Sequence, residues 1–340
     1  MKQAPAFNLS MLTDNRWTRD YGEYVREQFI LRDGWLKMHS FFEQGLQKIE
    51  LGDVWCARDG YLIAKTNPDA PDARRVAQAN AQAICSLGER FPGRVHVMLV
   101  PSASNIMAGH LRFDPPRMDE NALMDEVNAK LRESGISIID LRGGFRGLAE
   151  SGSQVYYRTD HHWTTDGGAF LAYEAFCNAV GLDAVLPPDG LKSSAGSFLG
   201  TNYAKSLFIG ATADQLVYYD FPNKMAIEKY SPDGSAYMQE EPLMAYDKLA
   251  SRDKYGAFLH GNNGYTHIEG DGRGRVVIVK DSYGNSFVPF LTANYKDIEV
   301  IDLRGRRSIG DILDSDSDIL VLYSFTMFTQ DTELVWLSVD

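Results

Sequence analysis

Hydrophobic positions recur along this chain in two rhythms. Val95 to Val100, Ile136 to Leu141, Val276 to Val279, Ile298 to Leu303 and Ile319 to Tyr323 are short, mostly apolar runs. That is the pattern of strands covered on both faces. Between them, 72–90 places Val76, Ala79, Ala83 and Leu87 on one helical face, and 118–134 reads as a second helix. A third is opened by Thr164 or Thr165, with Asp166 in its first turn and Ala169, Phe170, Tyr173, Phe176, Cys177 and Val180 inward. Asn285 to Leu291 and Ser308 to Leu313 predict further helices. Strand, helix, strand at this spacing is a βαβ unit. The expectation is an α/β fold with about five parallel strands and helices on both faces.

The flanks are less regular. Residues 14–50 predict two helices divided at Arg32-Asp33-Gly34. Tyr21, Tyr24, Val25 and Phe29, then Trp35, Met38, Phe41, Phe42 and Leu46, form a stripe expected to pack into the core. Val54 to Cys56 and Tyr61 to Ile63 flank Asp59-Gly60, a hairpin signal, and Thr66 to Pro71 is a loop. Residues 183–270 lack a clear period and read as an insertion of loops and short strands, Gln215 to Tyr219 among them. The chain divides into 1–65 (helices and hairpin), 66–182 (first part of the core), 183–270 (insertion) and 271–340 (remaining core).

Composition narrows the function. Of 340 residues 44% are hydrophobic and 24% charged, enough to bury a real core. A net charge of −12 argues against nucleic acid or anionic lipid as partner. No apolar run is long enough to span a membrane, and Met1-Lys2-Gln3-Ala4-Pro5 has no leader-like core. Cys56, Cys85 and Cys177 are too few and too scattered for a disulfide framework or zinc site, and read as small buried hydrophobes.

The chemistry concentrates in two stretches. Tyr156 to Trp163 contains Asp160, His161 and His162 just before a helix; Lys280 to Ser286 follows an apolar strand and contains Ser282. A serine hydroxyl becomes nucleophilic when an imidazole takes its proton, and a carboxylate holds that imidazole's other nitrogen. In an extended segment Asp160 and His162 share a side, so His161 should point away. Gly284 permits a sharp turn, and a helix opening there would aim backbone N–H groups at an oxyanion. The parts fit acyl transfer through a seryl ester. Two rivals remain. Asp160, His161 and His162 with His260 or His267 could ligate zinc or iron, although no metalloprotease-type spacing is present. Alternatively, Trp163, Tyr156 and Tyr157 could stack on sugars in a binding domain. His39, His96 and His110 read as structural.

Tyr157-Arg158-Thr159-Asp160-His161-His162-Trp163-Thr164 resembles the signature of the bacterial DHHW protein family. Phe29-Ile30-Leu31-Arg32-Asp33, Lys280-Asp281-Ser282-Tyr283-Gly284-Asn285-Ser286 and Ile301-Asp302-Leu303-Arg304 extend the likeness over most of the chain. That family is related to the alginate O-acetylation proteins and the SGNH hydrolase superfamily. The resemblance implies an SGNH-like three-layer fold, with Asp160 orienting His162 as base and Ser282 as nucleophile. It implies O-acetyl transfer or acetyl-ester cleavage on an exported polysaccharide, with no cofactor and with a membrane-bound O-acyltransferase as a candidate partner. The alternative is an inactive glycan-binding or scaffold component of such a complex. Proteins of this kind are usually exported, so the expected setting is secreted or cell-surface, with a leader outside this sequence. No block matches the usual oxyanion hole. Gly284, Asn285, Asn262 beside Gly261, Arg304 and Tyr323 are candidates for it, and Tyr283, Arg158, His161 and Trp163 for substrate contact. No basic groove is evident, so the expected glycan is neutral or weakly charged.

Overall fold

The structure is a computed structural model and describes residues 21, 32–66, 71–306 and 308–339. Helix α1 (Arg32–Gly45) leads into a small antiparallel sheet of β1 (Glu50–Leu51), β2 (Val54–Cys56) and β3 (Leu62–Ala64). Asp59 and Gly60, at φ of 56° and 76°, turn β2 into β3. Next come α2 (Pro71–Arg90), β4 (Val95–Val100), α3 (Glu120–Glu133), β5 (Ser137–Ile138), α4 (Arg142–Glu150) and α5 (Phe170–Val180). The 183–270 segment contributes β6 (Lys192–Phe198), α6 (Thr201–Ser206), β7 (Asp214–Tyr219), β8 (Lys224–Tyr230), β9 (Ala236–Pro242) and β10 (Tyr265–Glu269). Strands β11 (Arg275–Lys280), β12 (Asp297–Ile301) and β13 (Asp318–Ser324) complete the core.

The main sheet has eight strands rather than about five, in the order β5-β4-β13-β11-β12-β10-β8-β9. The first five are parallel. The other three are antiparallel and come from the 183–270 segment. Apolar runs identified the buried parallel strands. The added three alternate or are exposed, so no such run marked them. β10 pairs with the outer side of β12 from Tyr265 opposite Ile301 to Glu269 opposite Asp297, which satisfies an otherwise open edge.

Strand periodicity builds the layers. Val277 and Val279 of β11 enter one core with Val321 and Tyr323 of β13, under α2 and α3. Val276 and Ile278 enter the opposite core with Leu320 and Leu322, against α5 and the loop around Trp163. All three cysteines are buried and unpaired. Among the described residues, no helix is long and apolar enough to cross a membrane.

Three local expectations change. The segment 308–313 forms turns, not a helix. Gly310 weakens a helix there, and the Asp314 carboxylate takes the Asp316 and Ser317 N–H groups into a competing turn. Gly284–Phe287 is a single helical turn that tightens into a 3₁₀ helix at Val288–Ala293, where Pro289 lacks an N–H. The aromatic stripe of α1 is not core: Trp35, Met38, Phe41, Phe42 and Leu46 are exposed. Among the described residues of α1 only Ser40 is buried, with its hydroxyl donating to Ser206 and Leu207 carbonyls, so polar anchoring sets the face of the helix. Tyr24, Val25 and Phe29 lie outside the described residues. Phe42→Ser should therefore change unfolding free energy by only about 0.5 kcal/mol. Phe287→Ala, fully buried, should cost about 3–5 kcal/mol. Urea denaturation of both variants checks the contrast.

Candidate active site

The two chemical stretches meet at the carboxyl ends of the parallel strands. Residues 155–164 form a tight loop closed by Thr164 N–H donating to the Val155 carbonyl (2.8 Å) and Tyr157 N–H donating to the His162 carbonyl (3.1 Å). Inside it, Asp160 Oδ1 accepts the His162 N–H at 3.0 Å and lies 2.6 Å from His162 Nδ1. With Nδ1–H directed at that carboxylate, Nε2 is the acceptor for Ser282 Oγ at 2.8 Å. Asp160, His162 and Ser282 thus form one hydrogen-bonded line across 120 positions of sequence.

Asp160 is buried, and burial alone would raise its carboxyl. The imidazoles of His162 and His161, with the bonds from His162 and the Thr201 hydroxyl, outweigh that cost and hold it well below the usual carboxylate range. The second oxygen, Oδ2, accepts the Thr201 N–H at 2.7 Å and the Thr201 hydroxyl. Gly200 makes that approach possible, because a β-carbon there would sit 2.3–2.7 Å from the Asp160 carboxylate. A second buried acid, Asp214, holds the loop from behind. It accepts the Arg158 N–H (2.9 Å), the Thr159 N–H (3.0 Å) and the Thr159 hydroxyl (2.9 Å).

Ser282 follows β11, the central strand where connections leave for opposite faces. The β11–β12 link packs Phe287 and Leu291 on one side; the β12–β13 link packs Leu303 and Ile309 on the other. Such a switch point opens a crevice at the strand ends. Asp281 fixes the turn. Its carboxylate accepts the Tyr283 N–H (2.9 Å), the Ser324 N–H (2.9 Å) and the Ser324 hydroxyl (2.7 Å), joining the ends of β11 and β13. Burial raises its pKa against those bonds. Behind the turn, burial lowers the Lys280 ammonium to about 8 despite Asp302. Lys280 Nζ donates to Asn285 Oδ1 at 2.6 Å and Asn262 Oδ1 at 3.2 Å.

A cleft of about 780 Å³ opens over Ser282, with His161, Tyr283 and Arg304 on its walls. Arg304 is anchored by Asp302, through Nε at 2.8 Å and Nη2 at 2.5 Å. The other candidates lie elsewhere. Asn285 and Asn262 are turned to Lys280 and to each other (3.0 Å). The Gly284 N–H is taken by the Asp281 carbonyl, and the Asn285 N–H by the Ser282 carbonyl, both at 3.2 Å. Among the described residues, the Ser282 N–H has no acceptor. Tyr323 is buried in the core beneath α2. Arg158 pairs with Asp214 and lies over the Tyr61 ring. Trp163, Tyr156 and Tyr157 are buried, so none is a sugar platform.

His161 does not point away. Asp160 to His162 is a bend closed by the Asp160 side chain, not a strand. The two imidazoles therefore lie 3.9 Å apart, with His161 Nδ1 3.0 Å from the Thr201 hydroxyl. Burial and His162 lower the His161 pKa to about 4, against the pull of Asp160. Asp160, His161 and His162 bring possible ligand atoms within 4.8 Å. Both Asp160 oxygens and both His162 nitrogens already have protein partners, so a metal would have to break the line to Ser282. His260 and His267 face Pro242 and Asp297 instead.

Sequence reasoning missed Thr201, Asp214 and Tyr255, all from the irregular 183–270 segment. The Tyr255 ring stacks on His162 at 3.7 Å and 9°. Its hydroxyl donates to the Ser282 carbonyl at 3.2 Å and lies 3.0 Å from Ser286 Oγ, which accepts the Trp163 indole N–H at 2.9 Å. Gly200-Thr201 was the available signal, as a small residue beside a capping hydroxyl.

The DHHW protein family matches residues 146–301, which include both stretches. The chain resembles the DHHW proteins. The SGNH hydrolase-like domain of the acetyltransferase AlgX matches residues 54–206. A probable alginate O-acetylase AlgJ from Pseudomonas syringae pv. tomato is 25% identical over 167 residues. The match takes in 47% of this chain and 42% of that relative, so the chain spans less than half of the relative's length. A DHHW family protein from Eubacterium siraeum superposes with a TM-score of 0.64 at 22% identity, covering 83% of this chain and 93% of that one. PatB1 of Bacillus cereus, solved with a sulfonyl adduct, gives 0.63 at 20% identity, covering 82% and 97%. These two likenesses establish the shared fold.

Two outcomes test the Asp160 site. Its depressed carboxyl contributes stability that is present above the unfolded value of about 4 and is lost as pH falls toward the folded one. The urea midpoint of wild type should exceed that of Asp160→Asn near neutrality, and the gap should close on acidification below about pH 4. Gly200→Ala should displace Asp160 and lower the melting temperature, by about 4 °C or less for each kcal/mol lost in a chain of this size. An unchanged melt would show that the close approach is not needed.

Proposed function

We propose that this chain is a serine-dependent O-acetyltransferase or acetylesterase acting on a polysaccharide outside the cytoplasm. The observation that carries the reading is the line from Asp160 through His162 to Ser282. The DHHW and AlgX matches, and the O-acetylase relative, support acetyl transfer as the reaction class. A membrane-bound O-acyltransferase is a candidate source of acetyl groups.

In the first half-reaction Ser282 Oγ attacks the acetyl carbonyl while His162 Nε2 takes the hydroxyl proton. The imidazolium is stabilised by Asp160. The Ser282 N–H is a free backbone donor for the developing oxyanion, since the next three N–H groups of the turn are already used. The tetrahedral intermediate expels the donor alcohol, which receives the proton from His162, and leaves an acetyl-serine. In the second half-reaction His162 deprotonates a sugar hydroxyl or water, which attacks that ester and frees Ser282. The open cleft admits both nucleophiles, and the balance between them separates transferase from esterase.

Hydrolysis of p-nitrophenyl acetate should fall about 100-fold or more in Ser282→Ala and in His162→Ala. Equal rates in all three proteins would sink the reading and favour an inactive glycan-binding or scaffold component. A sulfonyl fluoride should lose fluoride and mark Ser282 in wild type, and the mark should vanish in His162→Ala. Tyr255→Leu removes both the stacking and the hydroxyl and should lower kcat about tenfold with a shifted acidic limb of the pH profile. Tyr255→Phe, which keeps the ring, should retain the wild-type limb. Identical profiles for all three would assign Tyr255 to packing alone.

A further inference from the structure

A lone backbone N–H leaves a developing oxyanion short of donors, and acyl-transfer sites ordinarily offer a second. Most positions that the sequence suggests for it are spent. Gly284 and Asn285 use their N–H groups within the turn. The side chains of Asn285 and Asn262 serve Lys280 and each other. Tyr323 is buried beneath α2. Arg304 is the one that remains, and it lines the cleft together with Ser282. The other cations of the cleft stand apart: Lys65 pairs with Glu50, and Lys205 lies on α6, on the histidine side.

Sheet register sets Arg304 at the level of the serine. β12 runs parallel to β11, with Val279 opposite Ile301. Ser282 and Arg304 each follow that pair by the same number of residues, on strands about 4.8 Å apart. The two chains stay side by side beyond it, since Lys280 Nζ lies 3.6 Å from Asp302 Oδ2. Arg304 is also close enough to Asp281, the neighbour of Ser282, for that carboxylate to add to the rise that Asp302 causes in its pKa. On the other flank β13 ends at the same level, Lys280 facing Leu322, but the Ser324 N–H and hydroxyl both go to Asp281.

The guanidinium is fixed in advance. Buried Asp302 accepts its Nε and Nη2 side by side and the Arg304 backbone N–H at 3.2 Å. A two-pronged bond of this kind sets the plane of the group, so no reorganisation is needed when charge develops. Among the described residues Nη1 has no acceptor, and the side chain is 35% exposed. Resting on the acyl-serine reading, we propose that Arg304 is a catalytic residue whose Nη1 donates to the oxyanion beside the Ser282 N–H. As the Ser282 Oγ–carbon bond forms, the carbonyl π pair moves onto oxygen and the serine proton passes to His162 Nε2. Collapse returns that pair to the carbonyl, and the donor alcohol leaves with the proton from His162. Arg304 stays protonated throughout and transfers nothing.

Steady-state hydrolysis of p-nitrophenyl acetate by the full chain tests this, with Ser282→Ala as the reference. Arg304→Ala should lower kcat about 100-fold while KM changes little, because the bond is made only when the oxygen is charged. Dilute guanidinium chloride should restore part of that kcat, where potassium chloride at equal ionic strength should not. Arg304→Gln, which can still bond Asp302 but carries no charge, should also lose kcat, and it serves if Arg304→Ala fails to fold. Wild-type kcat in either variant, or a loss confined to KM, would overturn the assignment while leaving Ser282-dependent turnover intact. A loss that guanidinium does not restore would make Arg304 only a structural partner of Asp302. Turnover independent of Ser282 would strike the acyl-serine reading itself, and this assignment with it.

Discussion

The buried carboxylate of Asp160 is the constraint on which the rest of this architecture depends. A charge removed from water costs several kcal/mol unless its lone pairs are met by donors and a compensating cation. Here four groups meet it: the His162 backbone, the His162 ring, and the backbone and hydroxyl of Thr201. The same bonds that make the charge tolerable set the plane of His162, and with it the direction of Nε2. Stability and alignment of the imidazole are therefore one problem with one solution. Gly200 and Asp214 belong to that solution, the first by leaving room and the second by holding the loop backbone.

The serine side answers a parallel problem. Lys280 and Asp281 are buried at the end of a central strand, on opposite sides of the chain. Each is satisfied by a different neighbour. Asp281 reaches Ser324 at the end of β13, while Lys280 reaches Asn262 and Asn285 behind the turn. Breaking either set would leave a buried charged group short of hydrogen bonds. The turn carrying Ser282 is thus held from two sides, and Tyr255 bridges it to the imidazole. The cleft opens in front of Ser282, between α6, which contributes Asn202 and Lys205, and the chain after β13, which contributes Thr326 and Met327.

The 183–270 segment has more importance than its irregular sequence announces. It extends the sheet by three strands and delivers Thr201, Asp214 and Tyr255 to the histidine loop. Apart from the small residue and capping hydroxyl at Gly200-Thr201, they have no local signal, because each acts on a residue 27 or more positions away. The exposed stripe on α1 errs in the opposite direction: its aromatic spacing implied burial, yet polar contacts from Ser40 and Gln44 anchor the helix. Periodicity reports which residues share a face, and not which way that face is turned.

Parallel strands β4, β11, β12 and β13 could be read from the sequence because strands buried on both faces must be largely apolar, whereas β5 is a half-buried pair of residues at the edge. Asp160, His162 and Ser282 could also be singled out, and the structure brings the three into one hydrogen-bonded line. What the sequence could not determine was orientation. His161 lies beside His162 because an Asp160 side chain closes the backbone into a bend, where an extended segment would have separated them. Asn285 and Tyr323, sensible oxyanion candidates by position, are drawn into the interior by Lys280 and by the pleat of β13. Those outcomes depend on which distant groups satisfy each buried charge. Only the packed chain brings these groups within hydrogen-bonding range.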